Sequence, residues 1–164
     1  MRTVTPKKEL NYLRILFFTF GLGIMSWIPR FPEVKEALKL TNGGFGSLIS
    51  TGALGSLISL LTVGYVVHKI GVKRVLYVAS FFLMATLIIL TTVDSSLIFF
   101  FANIAFGAAI SAFHISINAQ GFNYQDRTGK FIITQMSGVW GAGALLTALI
   151  SGFLVDRVSL HLHV

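Results

Sequence analysis

The stretch that decides the fold is Gly64-Tyr65-Val66-Val67-His68-Lys69-Ile70-Gly71-Val72-Lys73-Arg74. It is short and basic, and it lies between two apolar runs. No residue from Leu40 to Val67 is charged, and none from Val75 to Val93. A membrane-spanning helix takes ~20 predominantly apolar residues, so the stretch reads as a cytoplasmic turn between two spanning helices.

Composition points the same way. Of 164 residues, 54% are hydrophobic and only 12% charged, against about 25% charged in a soluble domain. Mean hydropathy is +0.79. A net charge of +7 could suggest nucleic acid. The basic residues cluster between apolar runs and form no stripe, which argues against that partner. With no cysteine in the chain, disulfides and thiolate metal sites are excluded. The first apolar run has the charged front of a signal peptide. It exits as Ser26-Trp27-Ile28-Pro29-Arg30-Phe31-Pro32 without a small-residue cleavage pattern, and four more runs follow.

Outward from the turn, the expected organisation is an all-α polytopic membrane protein with five transmembrane helices. A cytoplasmic N-terminus (1–10) precedes the first span (11–28) and an extracytoplasmic amphipathic connector (29–44). The second span (45–67), the cytoplasmic loop (68–74) and the third span (75–93) follow. A short outer turn (94–96) leads to the fourth span (97–121), a cytoplasmic loop (122–130), the fifth span (131–155) and an outer tail (156–164). Orientation rests on the bias of Lys and Arg in short loops. One side receives nine, namely Arg2, Lys7, Lys8, Arg14, Lys69, Lys73, Arg74, Arg127 and Lys130. The other receives Arg30, Lys35, Lys39 and Arg157.

Helix periodicity separates the faces. Asn103, Gly107, Ser111, His114, Asn118 and Gly121 recur at steps of three and four and fall on one stripe of the fourth span. Polar groups facing lipid are costly, so the stripe is expected to line a cavity or meet protein. Gly52, Gly55, Ser59 and Thr62 on the second span form a stripe of small residues. Ser137, Gly141, Ala144, Ala148 and Ser151 form another on the fifth, and such stripes let helix backbones approach closely. There is no Walker loop, HExxH or GxSxG, and no carboxylate, metal or nucleophile cluster in the spans. No enzyme activity and no cofactor are expected. His161 and His163 read as tail residues.

The Gly64–Arg74 stretch resembles the signature loop of the major facilitator superfamily, found between its second and third helices. Gly64, Lys69, Gly71, Lys73 and Arg74 match that pattern, and His68 stands where the family has Asp. In the family this Asp pairs with charge on neighbouring helices and latches the outward-open state. Gly64 is expected to allow close helix contact, and Gly71 to supply the turn conformation. The resemblance extends from about Leu13 to Arg157 and is nearest the fucose-permease-like branch of sugar or metabolite porters. Three stretches carry that branch: Trp27 to Pro32, His114 to Asn118, and Ser137 to Gly141. The Gly-Pro motif of drug-proton antiporters is absent.

The resemblance implies secondary transport of a small polar, sugar-like solute across the lipid bilayer, with a coupling proton. Asn118 matches the branch. His114 occupies its acidic position and is the candidate proton site. Asn103, Ser111, Trp27, Arg30, Gln135 and Trp140 complete the candidate cavity. A full transporter of this kind has two six-helix halves. The five spans are therefore expected to be an incomplete N-terminal half, inactive alone, that needs the C-terminal half or a partner chain. The other reading is a non-transporting membrane module that assembles with another membrane protein.

Overall fold

The structure is a computed structural model that describes residues 5–154. The expected stop at Asp156-Arg157, the tail beyond it and Arg2 lie outside the described residues. Every regular element among the described residues is a helix: α1 (Pro6–Met25), a 3-10 turn (Ile28–Arg30), α2 (Phe31–Ala37), α3 (Asn42–Ser50), α4 (Gly52–Ile70), α5 (Val72–Thr92), α6 (Ser96–Thr128) and α7 (Ile133–Leu154). Five stretches are long and apolar enough to cross a membrane. They are Pro6–Ala37, Asn42–Ile70, Val72–Thr92, Ser96–Thr128 and Ile133–Leu154. The chain is an all-α membrane protein with five spans. Its uncovered side chains agree: Leu61, Tyr77 and Phe131 are 76%, 77% and 96% exposed. Water would penalise such a surface, whereas lipid is its natural solvent.

Helix ends depart from the expected loops for identifiable reasons. α1 starts at Pro6, whose fixed φ suits the first helical position, and so takes in Lys7 and Lys8. The basic 68–74 loop is almost wholly helical. α4 continues through His68 and Lys69 to Ile70, where cations at a helix C-terminus are favourable, and α5 begins at Val72. Gly71 alone makes the turn, at φ 86° and ψ 148°, a region essentially reserved for glycine. α6 likewise runs through the expected 122–130 loop to Thr128 and ends at Gly129 with φ 69°. The amphipathic connector forms α2, closed by a Schellman motif. Lys39 N–H donates to Glu36 O at 2.9 Å and Leu40 N–H to Lys35 O at 3.2 Å, with Lys39 at φ 54°.

The described residues divide into two compact units, one built from residues 30–116 and the other from residues 5–29 and 117–154. In the first, α4 and α6 cross on glycine. A Cβ on Gly55 would fall well inside contact distance of the Ile104 carbonyl, and one on Gly107 would strike the Gly52 carbonyl. Ser56 Oγ adds a hydrogen bond to Gly107 O at 3.0 Å. Gly52, Gly55 and Ser59 therefore pack as their spacing suggests, while Thr62 is exposed and Val63 takes the next buried place. Phe31, Phe45 and the fully buried Phe99 form a chain of ring contacts, with centroids 5.6 and 6.1 Å apart. In the second unit α1 packs on α7, again on glycine. Gly21 faces the Trp140 carbonyl and Gly143 faces the Phe18 carbonyl. Ser151 Oγ donates to Ser26 O at 2.6 Å. The buried face of α7 thus runs through Met136, Gly143 and Ser151. Of the expected stripe, Ser151 is buried and Ala144 lies against Gly21, whereas Ser137 and Ala148 are exposed and a Cβ on Gly141 would meet nothing within 4 Å. Gly64 is corrected in the same way: no atom lies within 4 Å of its Cβ position, so it makes no close helix contact.

These environments separate the glycines. Gly55→Ala should destabilise the folded protein by about 1–3 kcal/mol through overpacking. Gly64→Ala, in an open helical position, should stabilise it by about 0.5–1 kcal/mol. Denaturant unfolding in micelles, followed by helical circular dichroism, measures both, and a smaller loss for Gly55→Ala than for Gly64→Ala would contradict the packing described.

Candidate functional site

The polar stripe of α6 does different things along its length. Near the start of the helix, Asn103 is buried. Its Nδ2 donates to Leu48 O at 3.1 Å, Ile49 O at 2.8 Å and Thr51 Oγ1 at 3.0 Å. Those acceptors lie where α3 ends and α4 begins. The segment is broken at Thr51, whose own hydroxyl turns back to Leu48 O at 2.7 Å. A helix end in lipid leaves carbonyls without water to solvate them, each costing several kcal/mol. Thr51 N–H already donates to Leu48 O at 3.2 Å, and Asn103 adds a further donor from α6. Its amide N–H group is spent on the fold, and Gly107 one turn on is spent on the α4 crossing.

Farther along, the same face is less buried. Ser111 and Asn118 are half-buried, and His114 is exposed. Gly121 closes the stripe against Ile133. His114 and Asn118 stand one helical turn apart on one face of an otherwise apolar helix, near the middle of Ser96–Thr128.

The remaining candidates are distributed. Trp27 is buried at the end of the first span. Gln135 is exposed on α7. Trp140 is half-buried, and its indole N–H is enclosed without an acceptor among the described residues. An enclosed donor left unpaired costs about 1–3 kcal/mol. Arg30 is 1% exposed, and its Nη1 meets Glu33 Oε1 at 2.6 Å. It forms an internal ion pair. In the signature stretch, His68, Lys69, Lys73 and Arg74 are all exposed. No cluster of three or more metal-ligating side chains occurs among the described residues.

Three polar devices were not foreseen from the sequence. Glu9 pairs with Arg127 at 2.5 Å, and Arg127 Nε also donates to Asn123 Oδ1 at 2.7 Å. Gln125 Oε1 accepts from the Ile132 and Ile133 N–H groups at 2.7 and 2.9 Å, capping the start of α7. Arg30 with Glu33 is the third. The i, i+3 spacing of Arg30 and Glu33, and the i, i+4 spacing of Asn123 and Arg127, are the signals that could have found part of them.

With this geometry in view, the comparison with known proteins is decisive at one level. The sequence profile of the Major Facilitator Superfamily matches residues 13–162. The chain belongs to the major facilitator superfamily. Its members are multi-pass integral membrane proteins of the transporter class, which accords with the five spans. An uncharacterized MFS-type transporter of Yersinia pestis is 26% identical over 136 residues, covering 82% of this chain and 35% of that protein. The membrane protein MosC of Rhizobium meliloti is 24% identical over 153 residues, covering 92% of this chain and 38% of MosC. The chain thus spans little more than a third of the length of these relatives. No solved structure matches it significantly.

The Asn103 clasp makes a structural prediction. Asn103→Ala should lower stability by about 1–2 kcal/mol, the range for an interhelical side-chain hydrogen bond in lipid. Stepwise unfolding in mixed micelles measures it, and an unchanged midpoint would show that the α3 carbonyls need no donor from α6.

Proposed function

We propose that this chain is the N-terminal part of a secondary transporter that moves a small polar, sugar-like solute across a bacterial inner membrane. The observation that carries the reading is His114, uncovered beside half-buried Asn118 in the middle of an apolar spanning helix. Ionisable groups at that depth are expensive in lipid and mark solute or proton pathways. That face must therefore meet water, solute or further protein. Ser111 extends the same face, and Trp27, Arg30, Gln135 and Trp140 are proposed as further solute-contacting residues. Asn103 contributes through the packing of the helix that carries His114.

His114 is the proposed proton site. Loaded with a proton it would be positive, whereas a carboxylic acid in that position would be neutral. Coupling would then move charge differently from relatives with an acid there. Alternating access needs a second wall against which these helices rock. That wall would come from the remaining length seen in the relatives or from a partner chain, and five spans alone are proposed to be inactive. The rival reading, a non-transporting module, predicts stable co-purification with another membrane protein and no uptake.

In a protein carrying the remaining helices, His114→Ala and Asn118→Ala should each reduce solute uptake into proteoliposomes by about tenfold or more, the loss expected for one ~1.4 kcal/mol interaction. Normal uptake by both would reduce the stripe to a packing face. Orientation can be read directly because the chain has no native cysteine. A Lys73→Cys variant should react with an impermeant maleimide only after the cells are opened. Labelling of intact cells would place the α4–α5 turn outside.

A further inference from the structure

The unit of residues 30–116 holds a second feature that the transport reading does not use. A cleft of about 350 Å³ runs between α4, α5 and α6. Its walls include Ile58 and Ile70 of α4 and Val75 and Phe82 of α5, and its floor is a set of α6 alanines from Ala105 to Ala112. The alanines are the reason it is deep: larger side chains there would close it. Ser59 and Thr62 are the polar side chains of the lining, the Thr62 hydroxyl is bonded to Ile58 O at 2.8 Å, and every other wall residue is apolar, so the lining offers little to a polar ligand. Along α4 the cleft extends from Ile58 to Ile70, about 18 Å at ~1.5 Å per residue. Half of a bilayer's hydrocarbon core is ~15 Å.

One end of the cleft is charged. Ile70 and Val75 flank the Gly71 turn, which carries Lys69, Lys73 and Arg74. All three are exposed, and none is paired with a carboxylate among the described residues. No acidic residue lies between Leu40 and Val93, so nothing on α4 or α5 neutralises them. An apolar channel about one leaflet long, with three cations within two residues of the lining at one end, is complementary to one kind of molecule.

We infer that the α4–α5–α6 cleft is a binding site for one anionic phospholipid, with an acyl chain on the alanine floor and the phosphate at Lys69, Lys73 and Arg74. A zwitterionic lipid would fit the channel equally well and would lack the net charge. The site therefore selects by headgroup and holds by chain. Each basic residue near the headgroup layer should contribute about fivefold to the preference. The inference is independent of the solute and of His114.

The test places a fluorescent reporter in the cleft wall by Phe82→Trp, in the full chain reconstituted in phosphatidylcholine vesicles. Emission is taken as the difference from the chain without that substitution, which subtracts Trp27 and Trp140. Phosphatidylglycerol brominated on its acyl chains should quench the reporter severalfold more than brominated phosphatidylcholine at equal mole fraction. Neutralising the exposed cations with Lys69→Gln, Lys73→Gln and Arg74→Gln should bring the two lipids to parity. Ala112→Leu, or Ala105→Leu if the first variant loses helical circular dichroism, fills the floor and should also abolish the preference with every cation in place. Equal quenching by the two lipids in the starting chain would overturn the inference. So would a preference that survives neutralisation. A preference that survives filling would show diffuse surface attraction and no site. Absence of quenching by either lipid would show that protein, such as a second copy, covers the cleft.

Discussion

The break at Thr51 sets the terms for much of the unit in which it lies. A helix that stops and restarts inside hydrocarbon exposes carbonyls that no water can reach. Here the cost is met by Thr51 itself, which donates to Leu48 O, and from α6, by one amide reaching the Leu48 and Ile49 carbonyls and the Thr51 hydroxyl. That reach is possible only if α6 comes very close, and closeness is what Gly52, Gly55 and Gly107 provide. The glycine crossing and the asparagine clasp are therefore one device. The crossing brings the donor to the break, and the bonds to the break hold the crossing in register.

A similar economy governs the unit of α1 and α7. Lipid provides no hydrophobic drive between helices, so association depends on close packing and polar contacts. Gly21 and Gly143 bring the backbones together, and Ser151 bonds the Ser26 carbonyl beside Trp27. Outside the apolar zone the chemistry changes. Glu9 with Arg127, and Gln125 capping α7, are polar devices at one end of that unit, where charge can be used without burying it in hydrocarbon.

The fold was legible from the sequence because the bilayer imposes a length and a composition that few other environments do. The number of spans and the turn at Gly71 could be read from apolar runs and one glycine. The helix ends could not. Charge was taken as the mark of a loop at Lys7, Lys69 and Arg127, yet Lys and Arg are good helix formers, and helices run on past the hydrocarbon until Gly71 or Gly129 stops them. The packing faces were half legible. Periodicity finds a stripe of small residues but not its centre, because Gly141 and Gly143 differ by 200° on the helix wheel at ~100° per residue and only the neighbouring helix decides between them. The candidate site was legible as a stripe and illegible as a site. Asn103 and His114 share a face, but whether an amide faces a cavity or a broken helix depends on α3, which no periodicity of α6 contains.

The signature stretch divides along the same physical line. Gly71 is required by the backbone, since no other residue adopts its turn without strain. Gly64 is not required by packing in this chain, because its Cβ position is open. The cations are required by neither turn nor packing, as they are exposed and unpaired within the described residues. A charge left free of protein at a membrane surface is available to something else, and the nearest anions there are lipid headgroups. With no acidic residue between Leu40 and Val93, no carboxylate on α4 or α5 draws these cations back to the protein.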